Sequence, residues 1–163
     1  MNAILRNSAL ALFGVALAFP LFWCAGLRFN PTPSLPKGIY RIAPGAPEKN
    51  DLVSFCLEGE FAELALERGY LEPGSCPSGL RPLLKRLAGL PGDFVDPSAF
   101  PIRSVDSHGR SMSSALVPGV VPPGVALVLA DHPGSFDSRY FGFGPLDSLQ
   151  RVEPVFLFNP KGN

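Results

Sequence analysis

Hydrophobic positions fall into one long uninterrupted run and a series of short ones. From Ala9 to Leu27 the chain reads ALALFGVALAFPLFWCAGL without a charge, bracketed by Arg6 and Arg28. At a rise of about 1.5 Å per residue, such a helix just spans a hydrocarbon layer of roughly 30 Å. The pattern predicts a single N-terminal transmembrane helix over residues 1–28. A cleavable secretory signal is the competing reading, but its apolar core holds about 7 to 15 residues. This run is longer, and Trp23 stands near its end, where an interfacial aromatic belongs. Pro20 can kink such a helix without preventing insertion. Arg28, Lys37 and Arg41 follow the span while Arg6 and the amino terminus precede it, so charge leaves its orientation open.

The remainder, 29–163, alternates short apolar runs with turn signals: Gly38 to Ala43, Leu52 to Cys56, Leu83 to Ala88, Ala126 to Ala130 and Val152 to Phe158. Runs of this length bounded by Gly and Pro predict strands. Pro31, Pro33 and Pro36 exclude a regular helix and hold the approach to the first run extended. Only Glu60 to Tyr70 has helical spacing, with Phe61, Leu64, Ala65 and Leu71 on one face. The expectation is a mainly β domain, a twisted sheet or barrel with irregular loops and one short helix. Nineteen prolines and seventeen glycines agree with many turns. Equal counts of basic and acidic residues, 14 each, leave no basic field of the kind that draws a protein to phosphate backbones, so nucleic acid is not expected as a partner.

Cys56 and Cys76 flank the helical excursion, 56–79, and a bond between them would staple it as a cap. Such a bond persists in an oxidising compartment such as the periplasm. Two independent buried thiols are the equal alternative. Cys24, inside the apolar run, reads as a small hydrophobe. The cysteines, with His108 and His132, show no paired metal-ligand spacing, so neither metal nor cofactor is expected.

Three stretches carry candidate chemistry: PTPSLPKGIY around Ser34, LLKRLAGLPGDFV around Lys85, and SFDSRYFG from Ser135 to Gly142. Together they resemble the signal peptidase I family. The spacing of Ser34, Pro36, Gly38 and Tyr40 is most similar to its conjugative-transfer branch, the TraF-type peptidases. The second stretch resembles the family's KRxxGLPGD box, and the third its DSRY-G box. One departure is that many leader peptidases begin the last box with a GDN triplet, where this chain reads Ala130, Asp131, His132. The stretch from Asp96 to Gly124 carries no assignable motif, and the chain has no room for the large accessory domain of long leader peptidases.

The residues themselves make a coherent catalyst. A serine hydroxyl is a poor nucleophile until a neighbouring base takes its proton. A lysine can serve only when uncharged, which requires desolvation to bring its pKa from about 10.4 towards 7 or 8. On a strand, Lys85 shares a face with Leu83 and Leu87, which would set the amine against a buried surface. Lys37 is a rival base, with Pro36 and Gly38 rather than an apolar run beside it. Acyl transfer also needs donors for the developing oxyanion. The Ser34 N–H is the first candidate and, by the resemblance, the Thr32 hydroxyl the second; a local turn contact is the alternative role for Thr32. The resemblance further implies that Ser135 orients the lysine and that Arg86, Asp137 and Arg139 form a supporting ion-pair network. His132 invites a serine–histidine reading, but its spacing selects nothing.

The resemblance implies a membrane-bound serine endopeptidase of the bacterial inner membrane, its catalytic domain on the periplasmic side. Its partner would be an exported precursor, a conjugative pilin, cleaved or cyclised beside other conjugation proteins. A general type I signal peptidase removing many signal peptides is one alternative. A catalytically inactive, membrane-tethered assembly module is the alternative from another class, against which stands the presence of both Ser34 and Lys85.

Overall fold

The computed structural model describes residues 26–158 together with Asn7, Ser8, Leu10 and Phe13. The anchor expected over 1–28 falls mostly outside the described residues; among those described, no helix is long and apolar enough to cross a membrane.

The chain is mainly β. Among the described residues nine strands form: β1 (Leu27–Asn30), β2 (Gly38–Ile42), β3 (Leu52–Phe55), β4 (Leu83–Gly89), β5 (Phe94–Val95), β6 (Gly119–Val120), β7 (Val125–Leu129), β8 (Gly144–Pro145) and β9 (Gln150–Leu157). Seven of them make a sheet in the order β1-β2-β9-β3-β4-β7-β8, curled into a half-barrel, while β5 and β6 pair separately. Every pairing is antiparallel. The apolar runs at 38–43, 52–56, 83–88, 126–130 and 152–158 thus each become a strand, within a residue or two. The two-residue strands β5, β6 and β8 form outside those runs, and β1 takes Leu27 and Arg28, which had been assigned to the anchor, because both pair with β2 opposite Arg41 and Tyr40.

Alternation along β4 divides the interior. Leu83 and Leu87 face a core with Val53, Phe55, Ala126, Val128, Phe136 and Phe141. Leu84 faces the other way, onto Leu35, Tyr40 and Val152. Helix α1 (Glu60–Glu67) lays Ala62 and Ala65 on the first core. Glu60 and Glu63 suit the positive end of its dipole. Gly69, at φ +67°, takes the left-handed position that ends a helix, so the element stops short of Tyr70. A Cys56–Cys76 disulfide closes the base of this cap, with Cα atoms 5.5 Å apart.

Two motif features are explained by backbone need. In Leu90-Pro91-Gly92-Asp93 the Asp93 N–H donates to the Leu90 carbonyl at 3.0 Å, and Gly92 has φ +95°. Proline second and a left-handed glycine third make a type II turn. At Gly38 a Cβ would collide with the Phe156 carbonyl oxygen, so only glycine lets β2 lie against β9 there.

Candidate active site

Ser34 lies in the 31–37 turn between β1 and β2, a segment fixed by Asn30. The buried Asn30 amide donates to the carbonyls of Leu35 (3.1 Å) and Pro36 (3.3 Å), and its Oδ1 accepts from the Thr32 N–H and hydroxyl. The Ser34 carbonyl in turn accepts from the Asp131 N–H at 2.9 Å, tying the turn to the end of β7. Tyr40 donates its hydroxyl to the Pro36 carbonyl at 2.5 Å. The half-buried Ser34 side chain therefore sits on a loop braced from three sides.

Lys85 comes from the middle of β4, opposite Val53, and is only 2 % exposed. Its Nζ donates to Ser135 Oγ at 2.8 Å, and Ser135 Oγ lies 2.9 Å from Ser34 Oγ. The three side chains form one hydrogen-bonded line, with Ser135 in the middle. Burial brings the Lys85 pKa down from 10.5 to about 8; Asp137 opposes that shift and Arg139 adds to it. The amine thus loses its proton far more readily than an ordinary lysine.

The segment carrying Ser135 is anchored by Asp137. Its carboxylate, fully buried, accepts from Arg139 Nε at 2.8 Å and Nη2 at 2.6 Å, from the Arg139 N–H at 3.1 Å and from the Ala130 N–H at 2.8 Å. The last two restrain the backbone on either side: Asp137 caps α2 (Ser138–Phe141) and holds the end of β7. Arg139 also donates to the carbonyls of His132, Pro133 and Pro101. Burial pulls against this pair, but the carboxylate hydrogen bonds win and raise the Arg139 pKa.

Of the residues expected to act together, Ser34, Ser135 and Lys85 converge, with Thr32 Oγ1 3.4 Å from Ser34 Oγ. The Thr32 hydroxyl is also 2.9 Å from Asn30 Oδ1, the local contact that stood as its alternative. Asp137 and Arg139 pair as expected. Arg86 does not join them: on β4 it alternates to the face opposite Lys85 and bridges Asp131 at 3.2 Å, half exposed. Lys37 is exposed on the turn, and His132 uses Nδ1 to accept from the Gly134 N–H. Asn30 and Tyr70 were missed, since neither lies in a motif stretch. An asparagine immediately before the proline-rich turn was the one available signal for Asn30. Among the described residues no cluster could hold a metal ion.

Around the line Lys85–Ser135–Ser34 opens a cleft of about 480 Å³, walled by the 31–34 turn, Tyr70 and Leu71, Leu83, Met112 and Phe136. A nucleophile, a desolvated amine and an adjoining apolar cleft are the parts that acyl transfer requires.

No family model matches the chain. Curated relatives do. The chain is 35 % identical to the conjugal transfer protein TraF of Agrobacterium fabrum (strain C58 / ATCC 33970), over 98 % of each chain. It is 38 % identical to the conjugal transfer protein TraF of Agrobacterium tumefaciens (strain 15955), over 95 % of this chain and 98 % of that one. With a plasmid transfer protein TraF of Escherichia coli it shares 31 % identity, over 94 % of this chain and 90 % of the other. At these identities, over nearly complete lengths, the chain belongs to the TraF family of conjugal transfer proteins.

Proposed function

We propose that this chain serves conjugation as a membrane-bound serine endopeptidase of the signal peptidase I type, processing an exported pilin precursor. The observation that carries the reading is the line from the buried Lys85 amine through Ser135 to Ser34 Oγ. In the proposed reaction neutral Lys85 takes the Ser34 proton by way of Ser135 as Ser34 Oγ attacks the scissile carbonyl. The Ser34 N–H and the Thr32 hydroxyl, exchanging its contact with Asn30, face the oxyanion. Lysine then returns the proton to the departing amine as the C–N bond breaks, leaving an ester on Ser34. Water attacking that ester gives a linear product; an amino terminus attacking it gives a cyclic one.

Membrane attachment through residues 1–28, with the domain in the periplasm, is part of the same reading. Its supports are the uncharged run and the disulfide, which suits an oxidising compartment. Phe29, Phe156 and Phe158 give further support: exposed, with Phe158 5.8 Å from each of the other two rings, they cluster where the chain leaves the apolar run.

The test is co-expression with the pilin precursor of the same transfer system, weighing the pilin by mass spectrometry. Wild type should shorten it, a cyclic product being one water lighter than the linear one. Ser34→Ala and Lys85→Ala should leave it full length. Unchanged processing by Ser34→Ala would replace this reading with that of an inactive assembly module.

A further inference from the structure

One lip of the cleft takes no part in the proton line. Segments 101–103 and 132–134 meet there, clamped from beneath by the third motif stretch. Arg139 Nη1 donates to the carbonyls of Pro101 (3.4 Å) and Pro133 (3.1 Å), and Nη2 to that of His132 (3.0 Å). The Tyr140 hydroxyl accepts from the Arg103 N–H at 3.1 Å. Over this clamp the exposed side chains of Arg103 and His132 converge on Gly134, where a Cβ would come within 3.2 Å of Arg103 Nη1 and 3.0 Å of the imidazole. Gly134 adjoins Ser135, so both side chains stand next to the group that bridges Ser34 and Lys85.

Charge at this lip is unbalanced. Of the other charged groups along the cleft outside the proton line, Glu72 and Arg81 pair at 2.9 Å. Asp106 is taken by Arg110 at 2.6 Å and by the Tyr70 hydroxyl at 2.8 Å. Among the described residues, the Arg103 guanidinium enters no ion pair or hydrogen bond. His132 adds a donor: its Nδ1 accepts from the Gly134 N–H at 3.1 Å, so the neutral ring carries its hydrogen on Nε2. An unpaired cation beside an imidazole N–H suits an anion. A planar guanidinium matches a carboxylate best, two N–H groups to two oxygens.

The proton path decides which part of a substrate lies here. In the proposed reaction Lys85 returns its proton by way of Ser135 to the departing amine. The segment released with that amine therefore runs past Ser135 and onto the Gly134 lip. We infer that Arg103, with His132 beside it, is a specificity-determining residue that receives a carboxylate of the released segment, from an acidic side chain or from the chain end. The inference rests on the endopeptidase reading.

An amine that attacks the ester on Ser34 occupies the place of the one that departed, so acceptor choice reads this lip. The experiment gives the full chain, in non-ionic detergent, the p-nitrophenyl ester of N-acetyl-alanine and one of three acceptors: Ala-Gln amide, Ala-Glu amide, or Ala-Gln with a free C-terminus. The acceptor nitrogen forms a C–N bond as the ester C–O bond breaks, and its proton ends on Ser34 Oγ. The readout is the ratio of adduct to hydrolysis product by mass spectrometry, with Ser34→Ala turnover subtracted. That ratio does not depend on how much of each variant folds. In wild type an acceptor bearing the carboxylate should exceed Ala-Gln amide about fivefold, the scale of a well-formed exposed ion pair, and the excess should fade in about 1 M salt. Which acceptor gains separates side chain from chain end. Arg103→Gln should abolish the excess, and Arg103→Lys, which keeps the charge without the fork, should retain part of it. An excess that survives Arg103→Gln, or none in wild type while Ser34-dependent turnover is intact, overturns the inference and leaves the endopeptidase reading standing. Wild type with no Ser34-dependent release of p-nitrophenolate overturns both.

Discussion

Replacing Lys85 with methionine should stabilise the protein near neutral pH, and by an amount that disappears in alkali. The folded amine titrates at about 8 against an ordinary 10.5. Above 10.5 neither folded nor unfolded chain protonates this group. As pH falls from 10.5 to about 8 the unfolded chain takes up the proton and the folded one does not, so stability is lost across that window. Below 8 both bind it and the loss is complete. At about 1.4 kcal/mol per tenfold change in the protonation equilibrium, the loss amounts to about 3 kcal/mol. Methionine has similar length, no charge and the same apolar neighbours, Leu83 and Leu87, so it escapes that loss. The assay is urea unfolding of the full chain in detergent, followed by circular dichroism from pH 7 to 11, for wild type and Lys85→Met. Subtracting the two curves cancels every other titrating group. The difference should favour Lys85→Met at pH 7 and shift towards wild type by about 3 kcal/mol by pH 11. A difference that stays level with pH would mean that Lys85 is no harder to charge folded than unfolded, and would refute the desolvation argument.

The supporting groups make separable predictions. Ser135→Ala removes the bridge and should lower Ser34-dependent turnover about 10- to 100-fold, as expected for one hydrogen bond to a charged or reacting group. An unchanged rate would show that Lys85 reaches Ser34 without it. Asp137→Ala strands the buried Arg139 guanidinium and should cost about 3 to 5 kcal/mol in the same unfolding assay. A cost below about 1 kcal/mol, typical of surface pairs, would contradict the buried ion pair. Cys56→Ser with Cys76→Ser opens a closure of 20 residues and should cost about 3 kcal/mol by loop entropy, with urea unfolding again the measure. No loss would mean that the bond is absent.

The five longer central strands were legible because each is short, apolar and punctuated by Gly or Pro, while the two-residue strands β5, β6 and β8 were not, and Lys85 was legible because Leu83 and Leu87 flank it at the strand period. That same period explains where Arg86 goes: the next residue on a strand must face the other way, so although it shares a sequence box with Lys85 it makes a half-exposed ion pair with Asp131 on the opposite face. α2 is four residues long, too short to show a helical repeat, and depends on capping by Asp137. β1 was hidden because a strand edge continuing an apolar run has no boundary of its own. The wall formed by Tyr70, Asp106 and Met112 was beyond reach for a different reason. It joins a cap to a loop 36 positions away through side-chain bonds, and such pairings leave no periodic trace in a single sequence.

The central claim is that the desolvated amine of Lys85 unmasks Ser34, and the rate at which a fluorophosphonate labels the full chain tests it most directly. One label per chain should appear on Ser34 by peptide mass spectrometry, at a rate that climbs as pH rises through about 8 and then levels. In Lys85→Met that climb should vanish together with most of the rate. Labelling at another residue, or an equal rate and pH profile in Lys85→Met, would contradict the account.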